Sequence, residues 1–265
     1  MHEPADDGPG HRSRDDGTAM EAEFDTVARW TADAAVELGP DHFLPAACRG
    51  SGSPGAMRWL LDRLAVGGRD TMLDCGAGLG GPAAFATGET GARLLLCDPE
   101  AGACRGAARL FGLPAVRADS RLPFRSAAVD VAWSLGVLCT VDDQPLLLSE
   151  LRRVLRPGGR MGLLIYVAAH PPLPEQPEGN DFPTDTVARA MIDAAGFTLH
   201  DSATTGDMAA APPEWTERAV AVQDLLERRH GDDPRWRTAA RQSGIMGRLL
   251  GDGDLVGTLY HATAR

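Results

Sequence analysis

Apolar positions recur along this chain with two different periods, and the change from one to the other divides it. From Phe24 onward, Val27, Ala28, Thr31, Ala34, Ala35 and Leu38 repeat at helical spacing. Met57, Leu60, Leu61 and Leu64 do so again after Pro54, so two amphipathic helices are predicted ahead of any strand. After Gly68 the pattern changes to short apolar runs at 71–75, 92–97, 115–118, 129–135, 160–166 and 197–201. Helical stretches at 81–86, 102–110, 144–155 and 184–195 separate them. Such alternation predicts an α/β fold with a mainly parallel sheet and helices on both faces, whose ligands sit beyond the carboxyl ends of the strands. A last run at 255–262 makes the sheet seven-stranded.

Two stretches depart from that alternation. Residues 169–183 are rich in proline and lack periodicity, which predicts a loop. Between Pro212 and Leu250, Trp215, Ala219, Val222 and Leu226, then Trp236, Ala239, Ala240, Ser243, Met246 and Leu250, mark two further amphipathic helices. Residues 1–19 carry too few apolar side chains to offset the entropy of ordering, and are expected to be a disordered arm. The predicted organisation is that arm, N-terminal helices over 20–67 that act as a cap, and a core over 68–265 with a helical insertion at 206–251.

Composition narrows the function. A chain of 265 residues, 43% hydrophobic, can bury one sizeable core. A formal charge of -11 argues against nucleic acid as a partner, since phosphate-backbone binding needs clustered basic residues. No apolar run approaches the roughly 18 residues of a membrane span, and the N-terminus is polar and acidic, so a cytoplasmic protein without membrane association is expected. The cysteines, Cys48, Cys75, Cys97, Cys104 and Cys139, are odd in number and lack the close pairing of zinc or redox motifs; no metal is expected.

The chemistry concentrates in Asp74-Cys75-Gly76-Ala77-Gly78-Leu79-Gly80-Gly81-Pro82, a strand running into a glycine-rich turn and a helix start. Glycine there lets the backbone turn tightly and approach a ligand that a β-carbon would block. Gly76, Gly78 and Gly81 also satisfy dinucleotide spacing, so a nicotinamide oxidoreductase is a competing reading. Asp98 ends the next strand, where a carboxylate can accept hydrogen bonds from both ribose hydroxyls, which favours a nucleoside. Asp119 and Ser120 follow the third strand, in a position suited to the adenine amino group.

With these residues in view, the segment from Thr71 to Ile165 resembles the class I, Rossmann-like methyltransferases that use S-adenosyl-L-methionine. The family's first motif is matched by Asp74, Gly76, Gly78 and Gly80, its ribose acid by Asp98 and its adenine-side acid by Asp119. Leu122-Pro123-Phe124, Val129-Asp130-Val131 and the string from Leu151 to Gly159 resemble the segments around its fourth and fifth strands. The resemblance implies transfer of a methyl group to an O, N or C atom of a small molecule, a secondary metabolite, with S-adenosyl-L-homocysteine as product. It implies cofactor contacts at Asp74, Gly76, Ala77, Gly78, Asp98, Pro99, Asp119, Ser120, Ser134 and Leu135. Relatives often carry a histidine after the fourth strand, whereas this chain reads Ser134-Leu135-Gly136-Val137-Leu138-Cys139-Thr140, so no base carries over there. His170 and Asp181 are the candidate bases. Phe24, Trp30 and Trp215 are candidates for the acceptor pocket, with Trp133 as a further aromatic.

Two alternatives stay open. One is an NAD-dependent oxidoreductase, though not of the Ser/Tyr/Lys type, because the chain contains no lysine. A protein that keeps the cofactor without methylating is compatible with the same residues. Self-association into a homodimer is also left open.

Overall fold

The computed structural model describes residues 22–265; the arm expected at 1–19 lies outside them. A turn of π-helix, Ala22–Val27, runs into α1 (Ala28–Leu38). After a 3-10 turn, Pro40–His42, come α2 (Phe43–Ala47) and α3 (Pro54–Arg63). The Ser53 hydroxyl starts α3 by accepting from the Ala56 N–H at 3.2 Å, with Pro54 pre-set for the first turn. Periodicity anticipates α1 and α3 but not α2, which at five residues is too short to show a period.

The core then alternates: β1 (Thr71–Cys75), α4 (Gly81–Thr90), β2 (Arg93–Asp98), α5 (Ala101–Phe111), β3 (Ala115–Arg117), β4 (Val129–Leu135), α6 (Gln144–Val154) and β5 (Leu155–Ala168). It continues with α7 (Asp185–Ala194), β6 (Phe197–Thr204), α8 (Pro213–His230), α9 (Pro234–Gly251) and β7 (Leu255–Ala264). Helices α4 and α5 both stop where a glycine, Gly91 or Gly112, takes the left-handed conformation that other residues resist.

The seven strands form one sheet in the order β3-β2-β1-β4-β5-β7-β6, parallel except for β7, which runs antiparallel to both neighbours. Strand order reverses between β1 and β4, the switch point at which open α/β sheets leave a crevice at their carboxyl ends. The strand read as 160–166 begins earlier, because Leu155 already pairs with Val129. The register resumes only at Val131 opposite Arg160, so 156–159 bulge out of the ladder. The glycine turn expected before the fifth strand is therefore a bulge within it.

Each face of the sheet is covered. Leu147, Leu151, Ile192 and Phe197 pack with Leu73, Leu163 and Tyr260 on one side; Met57, Leu60 and Phe85 pack with Met72, Trp133 and Leu164 on the other. A third cluster joins the N-terminal helices to the insertion, through Val27, Ala35, Ala47, Val222, Leu226 and Trp236. At roughly 1.5–3 kcal/mol per large buried side chain, this seam holds α1, α2, α8 and α9 as one layer. The second half of α9 continues it, packing Ile245 and Leu249 on Cys139, Ala168 and Phe182 at the carboxyl end of the sheet.

Candidate cofactor site

The turn after β1 is built from three glycines with positive φ, +77° at Gly76, +52° at Gly78 and +78° at Gly80. Their reasons differ. A β-carbon on Gly76 would stand 2.3 Å from the Val137 side chain, and one on Gly80 would stand 2.9 Å from Ala107. One on Gly78 would meet nothing within 4 Å. Gly76 and Gly80 thus let neighbouring elements close in, whereas Gly78 turns bare backbone toward open space, as a ligand cradle requires. The Gly76 and Ala77 amides donate to the Cys97 carbonyl at 2.9 and 3.0 Å, which docks the turn on the end of β2.

Asp98 is only 7% exposed. One of its oxygens accepts from the Gly78 N–H at 2.8 Å and the other from the Glu100 N–H at 2.9 Å. Each carboxylate oxygen keeps a further lone pair, the capacity that a ribose diol needs. Burial pushes the Asp98 carboxyl up from its usual range, and the Glu100 and Gly78 amides oppose that rise. The Ala118 amide donates to the Asp98 carbonyl at 3.0 Å and so brings the end of β3 alongside. There Asp119 is exposed, accepting from the backbone N–H of Ser120 at 2.7 Å, and exposed Pro99 accepts from Arg117 Nε at 2.8 Å. Ser134 and Leu135 end β4 and are buried; the Ser134 hydroxyl donates to the Cys75 carbonyl at 2.9 Å and ties β4 to β1. All ten residues singled out for the cofactor lie at the carboxyl ends of β1, β2, β3 and β4.

Asp74 is the least solvated of the acids, at 1% exposed, and its Oδ2 has no hydrogen-bond partner among the described residues. The Nε1 of fully buried Trp133 is likewise unpartnered, so Trp133 belongs to the core and not to an open aromatic pocket. Burial pushes the Asp74 carboxyl up to about 7; the nearby Trp133 N–H opposes this, Asp98 adds to it, and the Ala83 amide opposes it. The Asp74 Oδ2 is closed off from solvent, with the Trp133 N–H and the Ala83 amide at the start of α4 as the donors near the carboxyl.

The remaining candidates do not converge. Phe24 is 40% exposed on the π-helical turn, next to Asp25, whose carboxylate accepts from the Gly102 N–H at the start of α5. Trp30 stacks on His230, ring centroids 3.9 Å apart, with the Arg235 guanidinium 5.1 Å from its centroid, so it cements α1 to α8 and α9. Trp215 packs against the cluster around Met57 and Trp133. His170 is exposed beyond β5. Asp181 is exposed too, and lines a cavity of about 380 Å³ with Gln144 and Thr184, outside the glycine turn. Asp25, Val137 and Tyr166, which the sequence reading passed over, pack on glycines at these strand ends and helix starts, on Gly102, Gly76 and Gly136 in turn; an acid that meets Gly102 only in space leaves no local signal. No group of three or more potential metal ligands occurs among the described residues.

A seven-stranded sheet with this order, a glycine turn after β1 and an acid ending β2 is a Rossmann-like α/β architecture. Residues 73–163 match the family model described as a methyltransferase domain. Methyltransferase GfsG of Streptomyces halstedii is 31% identical over 112 residues, 39% of this chain and 40% of that protein, so the chain aligns with about two fifths of that relative. Among solved structures, the [4+2]-cyclase SpnF superposes with a TM-score of 0.71 at 19% identity, over 93% of this chain and 97% of its own. Geranyl diphosphate C-methyltransferase from Streptomyces coelicolor A3(2), in complex with S-adenosyl-L-homocysteine, gives 0.56 at 17% identity over 79% and 75%. The chain has the class I, Rossmann-like fold, and residues 73–163 are the part of it that matches the methyltransferase domain model. No helix among the described residues is long and apolar enough to cross a membrane.

Proposed function

We propose that this protein transfers the methyl group of S-adenosyl-L-methionine to an O, N or C atom of a small molecule, a secondary metabolite. The observation that carries the reading is the cradle itself: Gly78 open to a ligand, with the Asp98 carboxylate bonded to its amide at the edge. The residues present fit the cofactor. Asp98 would hold the ribose hydroxyls, Asp119 and Ser120 the adenine side, and the turn from Gly76 to Gly78 together with Asp74 the cationic amino acid part. When bound, the cofactor supplies a sulfonium that makes its methyl group electrophilic. The protein's share is to align the acceptor atom and exclude water, for which the layer of α1, α2, α8 and α9 is the candidate cover. His170 and Asp181 are solvent-exposed, so the geometry favours an acceptor whose nucleophilic atom needs no buried protein base.

Calorimetry with S-adenosyl-L-methionine, S-adenosyl-L-homocysteine and NAD tests the cofactor, and tighter binding of NAD would overturn the assignment. Mass spectrometry of host extract incubated with the protein and methyl-labelled cofactor tests the transfer. One observation favours a second reading, a protein that binds the cofactor without methylating: a structure that superposes over 93% of this chain and 97% of its own is that of a cyclase. Cofactor binding with no labelled product would favour it.

A further inference from the structure

The carboxyl edge of the sheet holds a cavity of about 430 Å³, away from the glycine turn and on the β5, β7 and β6 side. Its size is ordinary for a small-molecule site. Tyr166 near the end of β5, Thr204 at the end of β6, and Leu255 and Val256 at the start of β7 line it; Ser53 joins them from the start of α3, and Leu250 from the last turn of α9. Glycines and one more threonine complete the wall.

The lining contains no carboxylate, guanidinium or imidazole. Its one titratable group is the Tyr166 phenol, pushed up to about 12 by burial, so it stays protonated. That hydroxyl donates to the Gly50 carbonyl at 3.1 Å. The Thr204 hydroxyl bonds the exposed carboxylate of Asp207 at 2.8 Å. The Ser53 oxygen accepts from an amide and keeps its proton free to donate. Tyr166 also joins this cavity to the cofactor cradle: its ring lies 3.4 Å from where a β-carbon on Gly136 would stand, and the next residue, Val137, covers Gly76.

We propose that this cavity binds the body of the methyl acceptor, and that the acceptor is neutral, largely apolar and oxygen-bearing, as opposed to a phosphate, a carboxylate or an amine. The Ser53 hydroxyl can donate to a hydroxyl or carbonyl oxygen, the Tyr166 and Thr204 oxygens can still accept from a hydroxyl, and aliphatic surface matches carbon. A charged ligand would surrender hydration there with no charge in the lining to replace it, since the Asp207 carboxylate is exposed outside the wall and already accepts from the Thr204 N–H and hydroxyl. The proposal rests on the methyl-transfer reading for the word acceptor, while its test does not depend on transfer.

The probes are 4-tert-butylcyclohexanol, the corresponding amine, the corresponding carboxylate and the phosphate monoester of the alcohol, which share one apolar body. Each is titrated by ligand-observed NMR into the full chain, with and without S-adenosyl-L-homocysteine. The alcohol is expected to bind at least about tenfold more tightly than the three charged probes. Leu250→Glu, at a position 38% exposed and so tolerant of change, and Val256→Phe, which fills the cavity, should each weaken the alcohol about tenfold or more. Cofactor affinity should stay unchanged in both. Equal or tighter binding of a charged probe, no binding of the alcohol, or alcohol binding indifferent to both variants would overturn the proposal. Absence of cofactor binding would strike the methyl-transfer reading instead, and the titrations without cofactor would still judge the cavity.

Discussion

Gly76 and Gly78 stand two residues apart in the same turn, yet a methyl group on each meets a different fate. Gly76→Ala drives a β-carbon into Val137, so it should lower the melting temperature. Gly78→Ala costs only the left-handed strain, about 1–2 kcal/mol, but points its methyl into the cradle. It should therefore impair cofactor binding more than folding. Parallel thermal melts and calorimetry of the two variants check this. Asp98→Ala removes an acceptor at the rim, and should weaken cofactor binding by on the order of 2 kcal/mol, typical of hydrogen bonds to a charged group. Unchanged affinity in a folded variant would place the ribose elsewhere.

Asp74 makes a prediction with a sign. Its carboxyl is raised from 3.8 to about 7 in the folded protein, so above about pH 4 the folded chain keeps a proton that the unfolded chain has released. The stability linked to it is present below the unfolded value and is lost as pH rises toward 7, at up to about 1.4 kcal/mol per pH unit. Asp74→Asn removes that dependence. In cofactor-free protein, its melting temperature relative to the parent chain should rise between about pH 5 and pH 8. A constant difference across that range, measured by calorimetry, would show that Asp74 is already ionised.

Among the elements, the N-terminal turn and α5 are joined by one charged cap. The Asp25 carboxylate sits on the Gly102 N–H, and Gly102 must be glycine because a β-carbon there would lie 2.4 Å from the Asp25 carbonyl. The N-terminus of α5 has a partial positive charge that this carboxylate satisfies, which is worth about 1 kcal/mol. Asp25→Ala should loosen the π-helical turn from α5 and open Ala22–Val27 to limited proteolysis that the parent chain resists, with the sheet intact. Trp30 acts at the same scale. Its ring is engaged by His230 and by Arg235, so Trp30→Ala should destabilise the layer of α1, α8 and α9 without changing which acceptors are used. A changed acceptor preference would return Trp30 to the pocket.

At the scale of the whole molecule, the cradle is assembled from four strand ends that meet only in the folded sheet, so a ligand that fits it must stabilise the fold. At a hundredfold excess over its dissociation constant, S-adenosyl-L-homocysteine should add about 2.7 kcal/mol by mass action. NAD at the same concentration should add far less. Thermal melts over a concentration series measure both, and equal shifts would mean that the site recognises only the shared adenosine.

The sequence by itself determined the alternation of strands and helices, the glycine turn, and which acids end which strands. Those are local properties: a period of two or 3.6, a glycine run, a carboxylate at the end of an apolar stretch. Tertiary structure alone decided what lies against what. Tyr166 reads along the chain as one more residue of an apolar run, and Val137 as a loop aliphatic; only folding sets one beside Gly136 and the other over Gly76. Asp25 becomes a helix cap only across 77 residues of chain. The same holds for α2 and for the early start of β5, whose conformations are held by partners distant in sequence, Ala47 against Gly81 and Leu155 against Val129. Periodicity records that a side chain is buried and carries no address for what buries it, so the frame of the cofactor site is written locally while its walls are written in long-range contacts.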